Sequence, residues 1–379
     1  ILTVHEFGHY LTARYYHVKA TLPYYIPVWF GFMVLPSIGT MGAFIKIQDK
    51  PKNTKEFFDI GIAGPLAGFV VALGVLFYGF HTLPPPEHIY NIHPDYQIWG
   101  NDYAAIVYDL DTVIYKKDLG HLDQHVLDQL GDSIVYISDA TISLGSNLLF
   151  DFFKTTIAPD PSRVPNMYEL YHYPWLFAGY LAVFFTALNL LPVGQLDGGH
   201  VVYGLIGYRR SKVVFRYIFV AFILFAGFGV VTPQMPADTL YIAAPLYFLY
   251  LLFVFRRVFS EFNKRILLVI WVFLVQFVLS KYIAFNNSSY VYLLFGFILG
   301  RFLGIEHPPS EHETDIGIKR KILGWIAILI FVVSFTPSPF NSKSTVKAEK
   351  ETPEQMATLT SEPVKDHCTE DDTDLKDRL

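Results

Sequence analysis

His5, Glu6 and His9 form the pattern His-Glu-x-x-His inside Ile1–Tyr16, a segment whose apolar residues read as the end of a hydrophobic helix. At 3.6 residues per turn, a spacing of four puts both imidazoles on one face, where they can grip a single Zn²⁺. Glu6, adjacent to the first imidazole, can then reach a water on that metal as general base. A second polar constellation, Asn189-Leu190-Leu191-Pro192-Val193-Gly194-Gln195-Leu196-Asp197-Gly198-Gly199-His200, ends an apolar run that begins at Trp175. An uncompensated carboxylate is costly there and a metal-bound one is not, so Asp197 is the expected third ligand. His200 competes for that place, since histidine is a common zinc ligand. A catalytic zinc takes three protein ligands and leaves a position for water, so the two do not both bind. Pro192 removes a helix hydrogen bond and Gly198-Gly199 loosen the backbone, which lets the chain turn toward the metal. Asn189 reads either as a donor to a substrate carbonyl or developing oxyanion, or as a polar bridge between helices.

The elements that must carry these groups are membrane spans. The 379 residues are 52% hydrophobic and 17% charged, with mean hydropathy +0.34, against about 25% charged in an average soluble domain. A net charge of −5 argues against nucleic acid as a partner, and the single cysteine, Cys368, excludes an internal disulfide or thiolate cluster. Any metal must therefore use histidine and carboxylate. Apolar runs near 60–80, 175–196, 213–231, 239–255, 265–285, 289–304 and 321–336 are seven candidate spans. The opening segment, which starts at Ile1 rather than Met, reads as an eighth span cut short.

The expected fold is thus an all-α polytopic membrane protein of about eight transmembrane helices. The expected division is 1–80 with the first two core helices, 81–173 as an insert, 174–207 as the third core helix, 208–337 as additional spans, and 338–379 as a disordered polar tail. The insert holds thirteen acidic residues against four basic ones. Its stretch 133–157 reads as an amphipathic helix leading back to the membrane. Its six histidines include one pair at helical spacing, His121 and His125, without a following Glu, and read as surface groups. Lys46 to Lys55, Arg209 to Lys212, Arg256 to Arg265 and Lys319 to Lys321 fall in loops on one side of the expected topology, which makes that side cytoplasmic and places the acidic insert outside. Gly61, Gly64 and Gly68 read as a small-residue face for close helix packing.

His5-Glu6-Phe7-Gly8-His9, taken with Asn189 through Pro192 to Asp197-Gly198, resembles the site-2 protease family of intramembrane zinc metalloproteases, over approximately 1–80 and 174–207. The resemblance implies zinc on His5, His9 and Asp197, Glu6 as catalytic glutamate, and Asn189 in holding substrate; it favours Asp197 over His200. It also implies a membrane-associated β element where Gly39–Ile47 reads as a short hairpin or strand after the first span, receiving substrate as an added strand. A plain loop is the alternative there. Some relatives carry a PDZ domain at the position of the insert, whose glycine loop 81–173 lacks.

The expected function is zinc-dependent hydrolysis of peptide bonds in or near transmembrane segments of other membrane proteins, serving regulated intramembrane proteolysis or clearance of signal-peptide remnants. The partners are such substrates and the lipid bilayer. The expected location is a multi-pass position in a bacterial cytoplasmic membrane, with the active site near the cytoplasmic side. A zinc-binding transporter and a catalytically silent relative are the rivals. The first would need polar residues spread along several spans, and none is seen; against the second stands an intact Glu6.

Overall fold

The computed structural model describes residues 1–27, 40–94, 96–97, 100, 103–109, 134–282 and 290–350. The chain divides into two compact units. One comprises 1–86 with 142–343; the other comprises 87–141 with 344–379.

In the first unit, α1 (Leu2–Tyr15) ends where His17 takes a left-handed φ of 57°. The chain then enters β1 (Tyr24–Pro27), which pairs antiparallel with β2 (Thr40–Phe44) in the register Tyr24↔Phe44, Tyr25↔Ala43 and Ile26↔Gly42. Bonds from Thr21 N–H to the Lys46 carbonyl and from Gln48 N–H to the Lys19 carbonyl lengthen this ribbon. The strand expected within 39–47 is therefore present over Thr40–Phe44, and its partner lies upstream in the β-forming Tyr24-Tyr25-Ile26. Gly39 lies outside the described residues.

α2 (Thr54–His81) starts at an Asn53 cap, whose side chain accepts from Glu56 N–H at 3.0 Å while the Glu56 carboxylate accepts from Lys52 N–H at 2.7 Å. Its 28 residues reach about 42 Å, enough to cross a bilayer with tilt. α2 is the central helix, packed on α1, on α6 (Pro174–Asn189) and on α7 (Asp197–Ile206). Beyond them run α8 (Tyr208–Ala226), α9 (Ala237–Val254), α10 (Phe262–Leu279), α11 (Tyr290–Ile298) and α12 (Ile318–Ser334).

Among the described residues, three helices are long and apolar enough to cross a membrane: Thr54–His81, Ala237–Arg257 and Phe262–Leu279. Pro174–Asn189 and Tyr290–Leu303 are apolar but shorter. The other expected spans fall short for physical reasons. α8 carries Arg209, Arg210, Lys212 and Arg216, and α12 has 17 residues with Lys319, Arg320 and Lys321 in its first turn. α1 has 14 residues.

The stretch 133–157 differs from the expected single helix. Ile134–Leu144 is a strand, β3, paired with β4 (Phe340–Lys350), and only Leu148–Phe152 is α-helical (α5), continuing as a π-helical turn over Phe153–Ile157. The β-branched alternation of Ile134-Val135-Tyr136-Ile137 and Thr141-Ile142 favours the strand, and Asn147 caps α5 by accepting from Phe150 N–H. Part of the segment expected to be a disordered tail, Phe340–Lys350, is thus a strand; 351–379 lie outside the described residues, as do His121 and His125. Residues 142–173 pack with the helical unit, because Phe150, Phe153, Leu170 and Tyr173 bury against Leu76, Phe80 and Leu176. In the second unit, Ile89–Ile92 and Tyr103–Asp109 are short helices, and the Tyr96 ring stacks on Tyr103.

Candidate metal centre

His5 and His9 lie on one face of α1 and are 5% and 7% exposed. Their imidazoles fill a groove in α2 lined by glycine. A Cβ on Gly64 would run into the His9 ring, and one on Gly68 would come within 3.2 Å of the His5 Cβ. One on Gly61 would collide with the His200 side chain. The small-residue face of α2 thus does more than let backbones approach: each glycine makes room for one histidine.

The route by which Asp197 reaches these rings differs from the loosened backbone expected from Gly198-Gly199. α6 stops at Asn189, the chain turns over Leu190–Leu196 with Gly194 at φ 60°, and α7 starts with Asp197 in its first turn. Both glycines lie inside α7. They are required because a Cβ on Gly198 would run into the Leu190 carbonyl and one on Gly199 into the Gly194 carbonyl. A carboxylate in the first turn is favoured by the helix dipole.

The result is three converging donor atoms. His5 Nε2 and His9 Nε2 are 3.1 Å apart, and Asp197 Oδ2 lies 3.3 Å from the first and 3.4 Å from the second. His9 Nδ1 donates to the Ile60 carbonyl at 2.7 Å, which in a neutral ring leaves Nε2 with its lone pair aimed at the cluster. Zinc bonded at about 2.0–2.1 Å to a tetrahedral set needs ligand atoms about 3.3–3.4 Å apart. The observed triangle has that size, and two imidazoles with one carboxylate is a donor set zinc accepts. The residues fit the ion.

Glu6 is 6% exposed and stands beside this triangle rather than in it. Asn189, the last residue of α6, has its amide nitrogen 3.3 Å from His5 Nε2. His5, Glu6, His9, Asp197 and Asn189 therefore lie together in one place.

His200 does not join the triangle. Its Nδ1 lies 2.6 Å from Nε2 of His307, whose own Nδ1 donates to the Pro308 carbonyl at 2.5 Å. Burial, with His200 alongside, pushes the His307 imidazole down to about 3, so it is neutral. The Ile60 carbonyl and His307 are invisible to motif reading. A backbone acceptor has no side-chain signature, and His307 sits in a loop with no helical spacing to any other ligand type. Elsewhere, His172 pairs with the buried Glu169 at 3.5 Å rather than standing as a bare surface group.

Residues 1–230 match the model of peptidase family M50. Among curated proteins, the chain is 26% identical over 214 residues to the probable zinc metalloprotease EGY2, chloroplastic, of rice (Oryza sativa subsp. indica), covering 56% of this chain and 29% of that protein. It is 25% identical to the EGY2 protein of Arabidopsis thaliana (56% and 28% covered) and 28% identical to the EGY1 protein of rice, subsp. japonica (54% and 26%). The chain spans less than a third of the length of these relatives. No solved structure matches it.

Proposed function

The chain belongs to peptidase family M50, the site-2 protease family, and from that premise we propose that it is a zinc-dependent intramembrane endopeptidase, hydrolysing peptide bonds in or near transmembrane segments of other membrane proteins. The observation that carries this reading is the triangle of His5 Nε2, His9 Nε2 and Asp197 Oδ2, 3.1–3.4 Å on its edges, with a buried glutamate adjacent in sequence to one corner.

His5, His9 and Asp197 would hold the ion. Bound there, Zn²⁺ supplies a Lewis acid that polarises a carbonyl and makes water acidic near neutral pH. Glu6 takes the proton of the attacking water and returns it to the leaving amine. The Asn189 amide, next to His5, steadies the substrate carbonyl. A peptide bond inside a helix is shielded, so the substrate is extended, and the β1–β2 ribbon offers it backbone partners.

The membrane setting rests on the apolar helices. We read α1, α6, α8, α11 and α12 as further crossings, making eight, with the loops rich in Lys and Arg and the metal centre toward the cytoplasmic side. The chloroplastic designation of the plant relatives gives the expected bacterial membrane no support. Regulated release of a membrane-tethered fragment and clearance of signal-peptide remnants both fit such chemistry.

Replacing Glu6 by Gln tests the proposal. The variant should retain one zinc per chain in metal analysis and lose at least about 10²-fold in cleavage of a designed transmembrane substrate. A Glu6→Gln protein that cleaves at the wild-type rate would refute it, and zinc transport into vesicles that survives the substitution would favour a transporter.

A further inference from the structure

Residues 304–317, between the π-helical turn Leu299–Leu303 and α12, lie beyond the 1–230 matched by the family model, yet they are strapped across the helices that build the metal centre. The Gly304 carbonyl presses on Gly194, in the turn between α6 and α7. Glu306 takes Arg216 at 2.6 Å and Lys212 at 3.0 Å, both on α8. The Ser310 hydroxyl meets Tyr203 Oη on α7 at 2.7 Å. His312 bridges to Asn53, and its carbonyl accepts from Thr54 N–H at the start of α2. The strap is therefore fixed to α2, α7 and α8 independently of its contact with His200.

At its centre the proton positions follow from the partners. The Pro308 carbonyl can only accept, so His307 Nδ1 carries the hydrogen; Nε2 of the neutral ring then accepts, and His200 Nδ1 must donate to it. His200 stands one helical turn after Asp197 on α7, with its side chain seated against Gly61 of α2. The next carbonyl back along α2, that of Ile60, holds His9. The His200–His307 bond thus pins the rotation of α7 at the level where α2 pins His9, and that rotation sets where the Asp197 carboxylate points.

We infer that His307 is a positioning residue for the metal centre: by accepting from His200 it fixes α7 so that Asp197 faces His5 and His9. The inference rests on the metal-centre reading above, and its geometric basis is the juxtaposition of a strap outside the family-matched region with the helix bearing the carboxylate. The chemistry it serves is retention of a divalent cation, not proton transfer.

The test is the zinc affinity of the detergent-solubilised full chain, measured by competition with a chromophoric chelator, for wild type, His307→Gln and His307→Phe, with thermal unfolding of the zinc-free proteins alongside. Gln keeps an acceptor for His200 and a donor for the Pro308 carbonyl. Phe keeps an aromatic ring against Tyr203 and Phe57, which touch His307 at centroid distances of 4.1 and 4.9 Å, but offers no hydrogen bond. The expected result is affinity within about threefold of wild type for Gln and about 10–100-fold weaker for Phe, while zinc-free Phe unfolds in one cooperative transition near the wild-type temperature. If Phe binds as tightly as wild type, or Gln as weakly as Phe, the positioning role is overturned. Wild-type protein that binds no zinc would instead overturn the metal-centre reading itself. Should Phe fail to fold, His200→Phe, which removes the donor of the same bond from α7, must show the same loss.

Discussion

Substituting Gly64 by Ala puts one methyl group where the His9 imidazole now lies. The added Cβ would stand 2.5 Å from both Cδ2 and Cε1 of the ring, about 1 Å inside ordinary carbon contact. The ring cannot simply swing aside, because its Nδ1 is bonded at 2.7 Å to the Ile60 carbonyl on the same α2. The helices cannot simply separate either: Gly8 of α1 sits so close to α2 that a Cβ there would come within 2.6 Å of the Ala63 carbonyl. Overpacking of this kind costs about 1–3 kcal/mol, and displacement of an imidazole proposed as a zinc ligand should weaken zinc binding about 10–100-fold. Gly68→Ala, with its nearest contact at 3.2 Å from the His5 Cβ, needs a shift of only a few tenths of an ångström and should lose severalfold at most. Gly74, in the same helix, meets nothing within 4 Å among the described residues, so Gly74→Ala should bind zinc normally and gain about 0.5–1 kcal/mol from helix propensity. Chelator competition for affinity and thermal unfolding for stability, run on all three variants in detergent, check the ranking. A Gly64→Ala protein with zinc affinity within twofold of wild type would refute the groove.

Asp197→Ala should abolish stoichiometric zinc in metal analysis, whereas His200→Gln should retain one ion per chain at saturating zinc; the reverse pattern would make His200 the third ligand. Acid stability should carry a signature of His307. The folded protein keeps this ring neutral down to about pH 3, while the unfolded chain protonates it near 6.5. The unfolded state therefore binds more protons in between, and stability falls as pH drops below 6.5, by about 1.4 kcal/mol per unit until both states are protonated. His307→Gln should show a shallower acid decline than wild type between pH 6.5 and 4 when unfolding is followed by circular dichroism, and parallel slopes would count against the assignment.

The convergence of the candidate centre was legible because its donors are side chains at fixed spacing. His5, Glu6 and His9 need only helical periodicity, and Asp197 announces itself as a carboxylate in an apolar run. What supports them was not legible. The Ile60 carbonyl is a backbone group, and His307 is brought near by a loop 107 residues beyond His200, a distance no local pattern spans. The glycines of α2 showed their spacing but not their purpose, since a missing side chain does not say what fills the space. Long apolar helices such as α2 and α10 were read well from hydropathy. The stretch 134–144 was not, because Leu144, Leu148 and Leu149 mimic a helical stripe while the preceding β-branched residues pair with a strand some 200 positions away, drawn from what composition marks as tail.

The glycine groove also makes the centre a gauge of helix register. Displacing α2 along α1 by about 1.5 Å, the rise of one residue, would carry the gaps at Gly64 and Gly68 past the imidazoles they accommodate and press the flanking α2 backbone onto the rings. Sliding of the two helices as the surrounding bilayer thickens or thins is therefore resisted at this level by the rings seated against Gly64 and Gly68.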